Sequence, residues 1–129
     1  MSGYLLDTNV ALIALSFPER LTPNMRRILK GGLLFLSVIS YWEVLLKSMK
    51  GRLDVGDPRI WWTEALDQLM ATSLVVRPDH IAAIYTLESI HQDPFDRALV
   101  AQAIVEDLTL VTIDDEIKKY ASERFQVLS

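Results

Sequence analysis

Tyr4-Leu5-Leu6-Asp7, a run of three apolar residues closed by an acid, decides the fold. Such a run predicts a short strand that is buried on both faces, which is typical of a parallel sheet. Residues 33–39 and 108–113 form further apolar runs, and helix-like segments separate the three. This alternation predicts an α/β fold with a central, mainly parallel sheet of about five strands, flanked by helices on both sides.

Residues that start and stop helices divide the rest of the chain. Gly31-Gly32 and Gly51 each end a predicted helix. Asp57-Pro58 and Asp93-Pro94 each begin one, and Asp79 is predicted to cap another. The predicted helices start at about residue 10 and then cover 19–30, 40–50, 58–70, 79–90, 94–107 and 115–122. The two remaining strands are predicted at 74–76 and 125–128. With no linker or repeat in the sequence, we expect residues 1–129 to form a single domain.

Composition narrows the function classes. Half of the 129 residues are hydrophobic and 23% are charged, as in a folded globular chain. The absence of cysteine excludes disulfide scaffolds, thiol catalysis and cysteine-ligated metals. The N-terminus lacks the basic region of a signal peptide, and no apolar stretch approaches the length of a membrane span, so we expect a cytoplasmic protein. A net charge of −4 argues against coating nucleic acid by bulk attraction.

Acidic residues fall where predicted strands end or helices begin. Asp7 and Asp114 follow strands, Glu43 lies near the start of the helix after the second strand, and Asp93 and Asp96 bracket a helical first turn. In parallel sheets these turns share the carboxyl edge, where ligands bind. Each acid also has a structural interpretation: Ser40 and Glu43 form a capping-box pattern, and Asp7, Asp93 and Asp115 are possible N-caps, with Asp96 favoured by the helix dipole.

Several carboxylates at one edge would repel one another unless a cation neutralised them. An all-oxygen acidic site suits Mg²⁺ or Mn²⁺, and such a site supports phosphodiester hydrolysis. We therefore predict that Asp7, Asp96 and Asp114 are metal ligands, direct or through water. Glu43 is predicted to be either a ligand or the base that positions the attacking water.

Polar neighbours of the acids are candidates for supporting roles. Asn9, Ser40 and Thr112 are candidates for hydrogen bonds to the ligands, although turn and cap roles explain them about equally well. Asp93 is explained by its N-cap position, and Arg97 either orients Asp96, meets a phosphate or makes a surface pair. Three further residues have local explanations: His91 is favoured at a helix end, Lys47 can form an ion pair with Glu43, and Trp61 begins an apolar stripe of core residues. The basic clusters 26–30 and 47–52 are expected on solvated helix faces.

Four segments together resemble a known family. They are Leu5-Leu6-Asp7-Thr8-Asn9, Ser37-Val38-Ile39-Ser40-Tyr41-Trp42-Glu43, His91-Gln92-Asp93-Pro94-Phe95-Asp96-Arg97 and Leu110-Val111-Thr112-Ile113-Asp114. They look like the four acidic motifs of PIN-domain nucleases, and the third looks like VapC toxins of bacterial type II toxin–antitoxin systems. The resemblance implies a PIN fold and an Mg²⁺/Mn²⁺-dependent endoribonuclease acting on tRNA or rRNA. It also implies a homodimer neutralised by a VapB-like antitoxin, with Asp7, Glu43, Asp96 and Asp114 as the site.

Three alternatives stay open from the sequence. A phosphoacceptor receiver domain also carries acids at a sheet edge, but it needs an acid pair after its first strand, where Asp7 stands alone. A binding-only protein with the same fold would be expected to have lost at least one of the four acids. A metal-dependent DNA nuclease fits the same acids, and only the 2′-hydroxyl of RNA separates its substrate from that of a ribonuclease.

Overall fold

The fold is seen in a computed structural model that describes residues 3–87, 93–119 and 126–128. Its sheet contains five strands, all paired in parallel, in the order β3-β2-β1-β4-β5. The strands are β1 Gly3–Leu6, β2 Leu33–Ser37, β3 Thr72–Leu74, β4 Thr109–Val111 and β5 Val127–Leu128. The predicted α/β architecture with a five-stranded parallel sheet is confirmed.

Helices connect the strands and cover both faces of the sheet. They are α1 Thr8–Ser16, a 3₁₀ turn Pro18–Arg20, α2 Pro23–Gly31, α3 Val38–Met49, α4 Pro58–Leu69, α5 Pro78–Ile84, α6 Pro94–Glu106 and α7 Asp115–Lys118. None of the helices in the described part of the chain has the length and apolar character needed to cross a membrane.

Adjacent residues of β1 supply two separate cores. Leu5 packs with Leu99 of α6 and Leu110 of β4 on one face, whereas Leu6 packs with Leu36 and Val10 on the other. All six side chains are fully buried, and burying one such side chain stabilises the fold by about 1.5–3 kcal/mol. Two buried faces explain why the strands are continuous apolar runs rather than alternating ones.

The start of α3 corrects one prediction. The predicted capping box of Ser40 and Glu43 is wrong, because β2 ends at Ser37 and the helix begins at the next residue. The Ser37 hydroxyl accepts the cap hydrogen bond from Ile39 N at 3.0 Å. Ser40 lies inside the helix, where its hydroxyl accepts from Thr8 Oγ1 at 2.9 Å. A tertiary contact therefore uses the serine that the local pattern assigned to the cap.

Two further caps differ from the prediction. Asp79 does not cap α5, because Arg77 occupies the cap position and its backbone N–H donates to His80 Nδ1 at 3.0 Å. Asp115 is the first residue of α7 and not its cap, because the Asp114 side chain accepts from the backbone N–H two residues ahead at 2.8 Å. In both helices the observed cap residue lies nearer to the preceding strand than the cap residue that the sequence pattern predicted.

Three boundaries also differ. The predicted helix 19–30 divides into the 3₁₀ turn and α2, because Thr22 caps a new start before Pro23 by accepting from Met25 N at 3.2 Å. The strand predicted at 74–76 is β3, which ends at Leu74, and the next two residues are exposed. The first helix begins at Thr8 rather than Val10, with Asp7 as its cap. Two helices also end earlier than predicted: α5 ends at Ile84 rather than near 90, and α7 ends at Lys118 rather than near 122. His91 lies outside the described residues.

The strand order places a crevice at one point of the sheet. From β1 the chain proceeds to β2 and β3 on one side, and β4 and β5 lie on the other side of β1. β1 and β4 are therefore neighbours whose connections diverge, the arrangement that leaves a ligand crevice at the carboxyl ends of parallel strands. Asp7 follows β1 and Asp114 follows β4, so both acids reach this crevice.

Candidate active site

Asp7 is the buried centre of an acidic cluster that it forms with Glu43 and Asp114. It ends β1, caps α1, and is 3% exposed. Its Oδ1 accepts from Val10 N at 2.8 Å, and its Oδ2 accepts from the Thr112 hydroxyl. Burial, the largest cause, and the charges of Asp114 and Glu43 together raise the pKa of Asp7 from its ordinary value of 3.8 to about 6, although the two hydrogen bonds lower it. A nearby cation would therefore stabilise the charged form of the Asp7 carboxylate.

Glu43 enters the same cluster from α3. It is 4% exposed and its Oε2 forms an ion pair with Lys47 Nζ at 2.8 Å, as the four-residue spacing predicted. Its Oε1 is buried and has no hydrogen-bond partner among the described residues. A buried carboxylate oxygen without a partner costs free energy unless a cation or water meets it. Glu43 therefore has one oxygen available for a ligand.

Asp114 closes the cluster from the β4 side. It lies three residues after the end of β4 and caps α7, and its backbone N–H donates to Thr112 Oγ1 at 3.0 Å. The Thr112 hydroxyl thus joins Asp7 to the Asp114 backbone. The neighbouring Asp115 is exposed and pairs with Lys118 at 3.3 Å, which sets it apart from the cluster.

The first turn of α6 carries Asp93 and Asp96. The Asp93 carboxylate accepts from Phe95 N at 2.9 Å and from Asp96 N at 3.4 Å, so its predicted N-cap role is confirmed. Asp93 and Phe95 line one groove together with Glu43. Asp96 is half-buried in the first turn of α6, and its place in the acidic cluster stays a prediction.

The other candidate residues differ in burial and in the contacts they make. Ser40 is buried and its hydrogen bond with Thr8 holds α3 against the start of α1. Asn9 is exposed in the first turn of α1. Arg97 is half-buried and donates to the Ile84 carbonyl at 3.5 Å, and it makes no ion pair with any residue that the structure describes.

The chemistry of the cluster fits a hard divalent cation. In the described ranges no three His, Cys, Asp or Glu side chains form a ready-made metal cage. Magnesium does not require one, because it keeps several waters and usually binds through one or two carboxylates plus substrate phosphate. The raised pKa of Asp7 and the unpartnered Oε1 of Glu43 are features that such a cation relieves.

Replacing Thr112 tests the support of the cluster. Thr112→Val removes a hydroxyl that lowers the pKa of Asp7 and that orients its carboxylate. We expect Mn²⁺ affinity, measured by isothermal titration calorimetry, to fall about 10–100-fold, as is typical when a partner of a metal ligand is lost. Thr109→Val in β4, three residues earlier, is the matched control. Unchanged Mn²⁺ affinity in the Thr112 variant would show that its hydroxyl has no such role.

A buried polar network behind the cluster was missed by the sequence reasoning. The Ser37 hydroxyl donates to Gln102 Oε1, and Gln102 Nε2 donates to the Val75 carbonyl at 3.1 Å and lies 3.3 Å from His80 Nδ1. His80 Nε2 lies 2.8 Å from Glu106 Oε2. Because Nδ1 already accepts the Arg77 backbone N–H, the hydrogen toward Glu106 is on Nε2. The network joins β2, α5 and α6 behind the cluster.

Gln102→Leu tests the contribution of this network to stability. The change leaves the buried Ser37 hydroxyl and the Val75 carbonyl without their partner, so we expect the free energy of unfolding in urea to fall by about 1–3 kcal/mol. Gln68→Leu on the exposed face of α4 is the control and is expected to change stability by less than about 0.5 kcal/mol. A Gln102 variant as stable as the wild type would mean that packing, not the network, holds α6.

Comparison with known proteins agrees with this geometry. The PIN domain family matches residues 4–123. The chain is 26% identical over 125 residues to ribonuclease VapC22 of Mycobacterium tuberculosis, with 96% of each chain covered. Its fold is similar to a chain of VapBC2 from Rickettsia felis bound to promoter DNA, with TM-score 0.70, 18% identity and coverage of 97% and 96%. It is also similar to a chain of VapBC-5, a toxin–antitoxin system of M. tuberculosis, with TM-score 0.63, 18% identity and coverage of 99% and 98%.

The family match covers nearly all of the chain, and all four acidic segments quoted from the sequence lie within it. It favours a nuclease over the receiver-domain alternative, and it agrees with the five-stranded parallel sheet. This chain therefore belongs to the PIN domain family.

Proposed function

We propose that residues 1–129 form one metal-dependent endoribonuclease that hydrolyses RNA phosphodiester bonds. The observation that carries the proposal is the acidic cluster at the β1–β4 crevice, where buried Asp7 feels the charges of Asp114 and Glu43. Repulsion between these carboxylates destabilises the folded protein, and a bound cation would neutralise it. The ribonuclease name of the 26% identical relative supports RNA as the substrate class.

Each acid has a role in the proposed reaction. When bound, Mg²⁺ or Mn²⁺ would polarise the scissile phosphate and make a bound water more acidic. Asp7 and Asp114 would hold the ion from the ends of β1 and β4, and Asp96 would hold it from α6, directly or through water. Glu43 has one oxygen paired with Lys47 and one available to orient the attacking water or bind the ion. Thr112 keeps the Asp7 carboxylate in place.

The similar proteins support a proposal for the biological role. We propose that the protein is the toxin of a type II toxin–antitoxin pair, neutralised by a VapB-like antitoxin, since both solved structures described above are VapBC proteins. We further propose that it is a homodimer acting in the cytoplasm on tRNA or rRNA.

Metal-dependent cleavage tests the proposed function. Purified protein, freed of antitoxin, is incubated with tRNA and rRNA in Mg²⁺, Mn²⁺ or EDTA, alongside DNA of matched sequence. Discrete RNA cuts that require the metal and are absent on DNA are the expected result. Equal cutting of RNA and DNA would make the protein a general metal nuclease. Cutting that persists in EDTA would contradict the assignment of a metal site.

A further inference from the structure

A groove runs from Glu43 along the space between α3 and the first turn of α6. It has a volume of about 410 Å³, within the usual range of about 300–1,000 Å³ for ligand sites. Its walls combine cations with apolar side chains, and the residues that define this basic groove are Glu43, Leu46, Lys47, Lys50, Arg52, Asp93, Pro94 and Phe95. Glu43, a member of the acidic cluster, thus also lines the basic groove.

The charge of the basic groove is positive although the chain carries −4 overall. Lys50 and Arg52 are exposed and make no ion pair with any residue that the structure describes. Glu43 is already paired with Lys47. The Asp93 carboxylate accepts two backbone N–H groups of α6, where the helix dipole offsets its charge. Two cations are therefore left to meet an anionic ligand beside the acids.

An aromatic pair borders the same groove. Phe95 lines it, and Trp42 meets Phe95 edge to face, with ring centroids 5.0 Å apart and an interplanar angle of 79°. Trp42 is 53% exposed, whereas Trp61 is buried in the core as predicted. An exposed aromatic ring beside cations is the usual platform on which single-stranded nucleic acids stack a base.

We propose that the basic groove binds the stretch of single-stranded RNA next to the cleaved phosphate. Lys50 and Arg52 contact backbone phosphates, and a base stacks on Trp42 beside Phe95. This inference rests on the proposed function. Glu43 belongs to both the basic groove and the acidic cluster, so a strand bound in the groove would lie next to the proposed site of cleavage. Phosphate contacts by cations combined with stacking give affinity without base readout.

Binding without cleavage tests the basic groove directly. A fluorescein-labelled single-stranded RNA is titrated in EDTA, and fluorescence anisotropy gives the dissociation constant at several salt concentrations. For the double variant K50Q/R52Q we expect affinity to fall roughly tenfold or more and the salt slope to become shallower by about 1.4, the value for two lost phosphate contacts. Trp42→Leu is expected to weaken binding roughly fivefold or more with an unchanged salt slope.

A second basic groove provides the matched control. Arg26 and Lys30 line a groove of about 500 Å³ on α2, whose last turn precedes β2 and so lies at the opposite edge of the sheet. The variant R26Q/K30Q removes the same charge and should bind RNA like the wild type. Equal losses in both double variants would indicate bulk attraction and would overturn the proposal.

The outcomes separate this inference from the proposed function. If the wild type cleaves RNA and K50Q/R52Q binds and cleaves as well as it does, the groove assignment fails and the nuclease stands. If K50Q/R52Q keeps its RNA affinity but loses affinity for the antitoxin, the groove is a protein-binding surface and the RNA assignment fails. If the wild type neither binds nor cleaves RNA, the proposed function fails and the groove assignment fails with it.

Discussion

Each of the four substitutions Asp7→Asn, Glu43→Gln, Asp96→Asn and Asp114→Asn is expected to reduce RNA hydrolysis at least about 100-fold. A metal ion supplies several kcal/mol of transition-state stabilisation, and each 1.4 kcal/mol lost is a factor of ten in rate. The amide variants keep the size of each side chain but remove the charge that holds the cation. Initial rates at saturating Mn²⁺ on a defined RNA measure the effect.

Asp115→Asn is the matched control for these four variants. It removes one negative charge next to Asp114, but the side chain is exposed and pairs with Lys118. We expect its activity to remain within about twofold of the wild type, since it lies outside the acidic cluster. A loss in this variant as large as in Asp114→Asn would mean that general charge, not a defined set of ligands, is needed.

Asp7→Asn is also expected to stabilise the metal-free protein at neutral pH. Burial, with the charges of Asp114 and Glu43, raises the pKa of Asp7 from 3.8 to about 6. The folded state therefore binds a proton more tightly than the unfolded state, and the stability that this proton provides is complete below pH 3.8 and is lost as the pH rises through 6. Above pH 6 the charged carboxylate costs on the order of 3 kcal/mol, which the amide avoids.

Thermal and urea unfolding in EDTA between pH 4 and 8 measures this cost. The stability of Asp7→Asn minus that of the wild type should increase as the pH rises from 4 to about 6 and then level off. Taking the difference removes the titration of other groups. Saturating Mn²⁺ should reverse the order by stabilising the wild type more than the variant. A difference that stays constant across this pH range would contradict the raised pKa of Asp7.

The sequence was sufficient to predict the sheet and the acids that follow its strands. Asp7 and Asp114 could be placed because a buried parallel strand is visible as a continuous apolar run, and the residue that ends it lies at the carboxyl edge. Glu43 was placed near the same edge, although through an incorrect helix start. The cap lies three residues earlier than predicted, at Ser37 rather than Ser40, and Glu43 still lies on the side of α3 that faces the cluster.

Tertiary contacts explain what the sequence could not predict. Ser37 and Ser40 are both acceptable helix caps, and the contact of Ser40 with Thr8 decides between them. Gln102 and His80 are ordinary polar residues in their helices, and the network they form is visible only once α5, α6 and β2 pack together. The exposure of Trp42 depends in the same way on the packing of α3 against α6.

Titration of Mn²⁺ into the wild type, Asp7→Asn and Asp115→Asn by isothermal calorimetry tests the central claim most directly. The acidic cluster is predicted to give saturable Mn²⁺ binding in the wild type and in Asp115→Asn, and binding at least tenfold weaker in Asp7→Asn, with the fold intact in all three. Mn²⁺ binding of equal strength in Asp7→Asn, or no Mn²⁺ binding by the folded wild type with or without RNA, would contradict the assignment of this cluster as a metal-dependent active site.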